Sequence, residues 1–133
     1  MSIRRVHHLN FLVRDLEAAV ARYASALGLA VSSIDELPGR GVRTARFKAG
    51  ETWIVLVQPV ADGEPMQRLE RDGEGFFLVS YEVDDLEAAL GRAHAAGVSA
   101  AGVPRRGLDG WRVADLDPSC MQGAHVQLCE EAP

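Results

Sequence analysis

The sequence predicts an α+β fold in which two βαβββ modules curl into a cup-shaped half-barrel. Three observations lead there. A seven-residue motif returns at a fixed offset, each copy joins an alternating strand to an acid-capped amphipathic helix, and three extended segments follow each helix.

The motif is Val13-Arg14-Asp15-Leu16-Glu17-Ala18-Ala19, which recurs as Val83-Asp84-Asp85-Leu86-Glu87-Ala88-Ala89. The offset, Asp15 to Asp85, is 70 residues, and Arg22 and Arg92 keep it. Two copies are too few for a solenoid, so they read as a duplication packed as a pseudo-symmetric pair. The copies span 4–60 and 74–131 within one domain of residues 1–133.

Each copy opens on a strand, Val6 to Val13 and Phe76 to Val83. Asp15, and Asp84 or Asp85, then cap a helix, because a carboxylate accepts from the free N–H groups of the first turn and suits the helix dipole. Leu16, Ala19, Val20, Tyr23 and Leu27 share one helical face in the first copy; Leu86, Ala89, Leu90 and Ala93 do so in the second. Gly28 and Gly97 stand where C-terminal stops are expected. The extended segments are Leu29 to Asp35, Val42 to Ala49 and Thr52 to Pro59, then Val98 to Ala101, Trp111 to Leu116 and Ala124 to Cys129. Gly50-Glu51 predicts a tight hairpin. Pro65 to Arg71 predicts a short helix between the copies, with Pro65 in its first turn.

The bulk properties bound the function. A chain of 133 residues that is 47% hydrophobic can bury a real core and is not disordered. A net charge of −5 excludes the basic face that nucleic acid or an anionic membrane needs. No apolar run approaches the roughly 18 residues of a membrane span. The opening Met1-Ser2-Ile3-Arg4-Arg5 lacks the apolar core of a signal peptide. Cys120 and Cys129 have no CxxC spacing, so a reduced, cytoplasmic setting is expected, with both thiols as small apolar filler.

The stretch His8-Leu9-Asn10-Phe11-Leu12-Val13 followed by Asp15-Leu16-Glu17 resembles the opening of vicinal oxygen chelate proteins, the glyoxalase and bleomycin-resistance superfamily. Further segments are similar to its methylmalonyl-CoA epimerase branch: Leu37-Pro38 to Gly41-Val42, Gly50-Glu51-Thr52, Gly73-Glu74-Gly75, Glu82-Val83-Asp84-Asp85-Leu86-Glu87, Asp117-Pro118 and Gln127-Leu128-Cys129-Glu130. The resemblance implies a glyoxalase-like fold, a homodimer and a small-molecule ligand in the cup.

It also implies a divalent metal held by four inward strand positions. His8 matches the first of these. Val55, Leu78 and Gln127 stand at the others, and the 70-residue offset also carries His8 onto Leu78. A divalent ion held by His8 and Gln127 alone would be weak, so no cofactor is expected, with a divalent metal on His8 and Gln127 as the alternative. The epimerase branch further implies an acid–base pair of glutamates, where this chain has Thr44 and Gln127. Neither side chain titrates near neutral pH.

Strand alternation extends the lining to His8, Asn10, Thr44, Arg46, Trp53, Val55, Leu78, Ser80, His125 and Gln127. Phe76 shares the parity of Leu78. His8 and His125 are the candidate catalytic residues, each with an alternative reading as a structural or rim histidine. His7 should face the helix side, and His94 should be solvated. Trp53 and Trp111 read as packing. Arg46 either grips a carboxylate or is a solvated charge. Arg105-Arg106 either meet phosphates or form a surface loop. Two functions compete: a binding protein for a small hydrophobic or acyl-type ligand without a full metal centre, as in drug-sequestering relatives, and an isomerase, lyase or epimerase with an altered site. A third reading, a protein-interaction role with a vestigial cup, stands behind them.

Overall fold

The computed structural model describes residues 3–131; both ends of the expected 1–133 span, including Met1 and Ser2 of the opening stretch, lie outside the described residues. The strands are β1 (Ile3–Leu12), β2 (Val31–Leu37), β3 (Val42–Ala49), β4 (Thr52–Pro59), β5 (Gly75–Val83), β6 (Arg105–Arg106), β7 (Arg112–Asp115) and β8 (Val126–Glu130). The helices are α1 (Leu16–Leu27), α2 (Glu64–Asp72) and α3 (Leu86–Ala95).

The chain divides into two compact units. One is Leu9–Phe77; the other joins the residues up to His8 to those from Leu78 onward. In the first, the strand order is β2-β3-β4-β1, and in the second β1-β5-β8-β7-β6, with β1 giving its end to one and its start to the other.

In the Leu9–Phe77 unit, β3 and β4 pair antiparallel from Val42↔Pro59 to Ala49↔Thr52, leaving the two-residue Gly50-Glu51 turn. Gly50 has a φ of 63°, the positive value that a II′ turn needs at its first central residue. Ala45, Phe47 and Leu56 point to one face and pack with Leu16, Ala19, Val20 and Tyr23 of α1. Leu27, expected on that face, is the last helical residue and is exposed outside the cluster. Asp15 caps α1 by accepting from Ala18 N–H at 3.1 Å, and Gly28 ends it in the left-handed conformation.

The second unit repeats this arrangement. Asp85, not Asp84, caps α3 through Ala88 N–H, also at 3.1 Å. Leu86 and Ala89 pack with Val83, Ala114, Leu116, Val126 and Leu128. β5 and β8 run parallel, with Ser80 opposite Gln127 and Glu82 opposite Cys129. An ion-pair device also recurs: Arg43 reaches Glu17 and Gln58, and Arg112 reaches Glu87 and Glu130. Gln58 and Glu130 then each accept the first helical N–H, of Leu16 and Leu86. These side chains tie each helix start to its own sheet.

Two expectations change. Val98 to Ala101 forms no strand beyond a single bridge, Ala100 to Leu116. Arg105-Arg106, expected as loop, instead pairs with Arg112 and Val113 of β7 as a short edge strand.

Candidate functional site

Because α1 and α3 cover one face of each sheet, the opposite face carries the remaining side chains. In the Leu9–Phe77 unit that face holds Thr44, Arg46, Trp53 and Val55, with Arg46 directly opposite Val55 in the ladder. Thr44 and Val55 are buried. Arg46 is half-buried rather than solvated: it donates to Ser33 Oγ at 2.8 Å, and Ser33 donates to Asp35. Its guanidinium also lies 4.8 Å from the centroid of Trp53, and the Lys48 ammonium lies 4.3 Å from it. Trp53 is therefore a half-buried cation–π platform rather than simple packing. Asn10 is half-buried, and Phe76, despite its parity, is exposed.

In the second unit the corresponding face holds Leu78, Ser80, Gln127 and Cys129, all buried. His8 joins them at 4% exposure. Burial pushes its pKa down to about 3, followed by the neighbouring His7, while Gln127 beside the ring opposes the shift. His8 is thus a neutral imidazole.

His7 corrects the alternation argument. It was expected on the helix side; instead it is fully buried, with its Nδ1 2.8 Å from His8 Nδ1. Strict period-two geometry would separate consecutive side chains by a sheet, so β1 departs from it here, where it passes from one unit to the other. His7 Nε2 lies 2.5 Å from Glu131 Oε2. Arg5 holds Glu131 at 2.9 Å and Glu82 at 2.5 Å. Burial lowers the His7 pKa, with Glu131 pulling the other way. A neutral His7 gives its Nε2–H to the carboxylate and leaves Nδ1 bare, so His8 donates to it. Trp111 is buried against both rings, edge-on to His7 at 4.4 Å and stacked on His8 at 5.1 Å between centroids.

Other expected residues are placed differently. His125 precedes β8 instead of lying within it and is half-buried; it joins none of the clusters of metal-capable side chains among the described residues. Arg105 pairs with Asp115 at 2.6 Å, and Arg106 donates to the Gly110 carbonyl, so both are engaged within the chain. Cys129, read as filler, has Ser80 and His8 for neighbours, and burial pushes its thiol up to about 12. His7, Cys129, Glu131 and Trp111 were missed as a group. The available signal was the adjacent histidine pair itself, which alternation had divided.

The metal implied by the resemblance does not fit the residues present. Val55 and Leu78 are buried hydrocarbon without a lone pair, leaving only an imidazole and a neutral amide from that set.

Buried polar atoms without a hydrogen-bond partner among the described residues include Asn10 Oδ1 and Thr44 Oγ1 in one unit and Ser80 Oγ and Gln127 Oε1 in the other, all at expected lining positions. Such atoms are rare in folded proteins, and a ligand is one way to satisfy them.

The fold and the order of its elements define a glyoxalase-like protein. The chain belongs to the glyoxalase/bleomycin resistance protein/dioxygenase superfamily, whose family profile matches residues 7–114. It is 35% identical over 130 residues to the ethylmalonyl-CoA/methylmalonyl-CoA epimerase of Cereibacter sphaeroides, covering 95% of this chain and 97% of that one. Among solved structures, methylmalonyl-CoA epimerase from Mycobacterium tuberculosis superposes with a TM-score of 0.94 at 25% identity, over 98% of this chain and 90% of that one. A point variant of the Streptomyces coelicolor enzyme, solved with 2-nitronate-propionyl-CoA, does so at 0.94 and 27%, over 98% and 96%. The expected α+β fold of two glyoxalase-like modules is the fold found. Among the described residues, no helix is long and apolar enough to cross a membrane.

Proposed function

We propose that this protein binds a small acyl-type ligand, an acyl thioester such as its relatives carry, and does not perform their acid–base epimerisation. One observation carries the reading: each unit holds buried polar atoms without a hydrogen-bond partner beside buried hydrocarbon positions on the same strands' inner face, Asn10 and Thr44 with Val55 in one and Ser80 and Gln127 with Leu78 in the other. Apolar walls with a few polar groups suit an organic ligand. A similar epimerase is solved with methylmalonyl-CoA, which supplies the ligand class. The loss of proton transfer follows from the side chains. Thr44 and Gln127 do not titrate, and His8, pushed down to about 3, is too weak a base to take a proton from carbon at neutral pH.

A second reading keeps an enzyme with an altered centre. It is favoured by the chain from Glu131 through His7 to His8, in which a carboxylate polarises two imidazoles in series.

Calorimetric titration with methylmalonyl-CoA and propionyl-CoA, with proton NMR of methylmalonyl-CoA in D2O beside it, separates the two. Binding without exchange of the α-proton is expected. Exchange that disappears in His8→Ala would establish the second reading instead, and no binding of either thioester would overturn the first.

A further inference from the structure

We propose that His7, His8 and Cys129 form a site for a thiolate-seeking transition ion, zinc above all, with donors different from the four-position centre that the family resemblance implies. One ring nitrogen of each histidine and the Cys129 Sγ lie within 4.8 Å of one another, the two Nδ1 atoms are 2.8 Å apart, and all three residues are buried. Two imidazoles and a thiolate are a donor set that zinc favours, and three protein ligands leave a fourth position for water.

The hydrogen bonding supplies an independent reason. A neutral His8 has one ring proton but two acceptors to serve. One is His7 Nδ1, which is bare because His7 gives its own proton to Glu131. The other is Gln127 Oε1. Gln127 lies beside the His8 ring, spends its N–H on Asp115 at 3.2 Å, and keeps Oε1 buried without a donor. One proton cannot satisfy both acceptors, and a buried acceptor left over costs free energy. An ion on the two Nδ1 atoms removes the conflict. It takes the His7 lone pair and leaves the His8 proton on the other ring nitrogen, Nε2, so that the proton no longer has to serve His7. Protonating His7 would also resolve it, but burial holds that group below its ordinary pKa.

The surroundings match a metal centre. Glu131 accepts from His7 Nε2, the carboxylate–histidine arrangement that orients a ligating ring, and Arg5 fixes that carboxylate in turn. Glu82 and Glu131 lie within 4.8 Å of His7, beside the positive charge that a divalent ion and a thiolate together bring. As the sulfur–metal bond forms, the Cys129 proton leaves to solvent. Glu131, whose side chain is 38% exposed, marks the route in from solvent.

The test uses the full chain, stripped with chelator in denaturant and refolded with Co²⁺. The expected result is one cobalt per chain with a near-ultraviolet thiolate-to-cobalt charge-transfer band. Cys129→Ser should lose the band and Cys120→Ser should keep it. Glu131→Gln should weaken cobalt binding about 10–100-fold without removing the band. Circular dichroism checks that each variant folds, and X-ray absorption on the cobalt-loaded wild type reads sulfur in the coordination shell independently. A wild type that binds no cobalt, or binds it without sulfur, would overturn the proposal.

Discussion

Trp111 lies over His8 with the two ring planes inclined by 21° and the centroids 5.1 Å apart. In the same position its edge meets His7. One indole thus shields both imidazoles from water, and that burial is what keeps them neutral. Truncating it should leave a cavity beside two polar rings. Trp111→Ala is expected to cost about 3–5 kcal/mol in urea unfolding, and Trp111→Phe less, because a ring is retained. Equal, small losses in both variants would mean that the indole is not part of the packed interior.

The depressed His8 pKa makes stability depend on pH. Its folded value, about 3, lies below the ordinary 6.5, so acid protonates the unfolded chain first. The contribution is therefore complete above about pH 6.5 and is lost as pH falls toward the folded value. By about pH 5 the loss from this group approaches about 2 kcal/mol. His7, shifted in the same direction, adds to it. Thermal melts of the wild type should fall steeply over this interval, and His8→Asn should flatten the slope. Identical slopes would place the titration elsewhere.

The orphaned hydroxyls separate a ligand site from ordinary core. Ser80 and Thr44 bury oxygens that find no partner in the protein. Ser80→Ala and Thr44→Val remove that desolvation cost, so each should leave stability unchanged or raise it by up to about 1 kcal/mol. Each should also weaken acyl-thioester binding in calorimetry. A loss of stability together with unchanged affinity would make these hydroxyls structural.

The helix caps give a test of the repeat. Asp15 and Asp85 make the same contact at the same length in their own units. Asp15→Ala and Asp85→Ala should each cost about 1 kcal/mol in chemical denaturation, by similar amounts. A loss from only one would show that the two copies no longer share the device energetically.

Much of the fold was legible because it rests on local patterns. The 70-residue repeat, the Asp15 and Asp85 caps, the Gly28 stop and the Gly50-Glu51 turn are read from neighbouring residues, and β3 and β4 begin and end where expected. Alternation also placed Thr44, Arg46, Trp53 and Val55 on one face, because β3 and β4 pair without a break in register. The absence of titrating groups at Thr44 and Gln127 needed no structure at all.

Tertiary structure decided the rest. His7 left the helix side because β1 breaks its alternation as it passes between units, an event that a period-two pattern cannot register. Glu131, Trp111 and Cys129 meet the histidine pair from the far end of the chain. Contacts over more than a hundred residues carry no signature in local sequence. Whether His8 is charged was likewise set by burial and by His7 and Gln127, not by the residue itself. The sequence by itself determined the modules, their caps and the missing carboxylates; only the folded chain determined which buried donors stand together, because proximity and desolvation arise from packing.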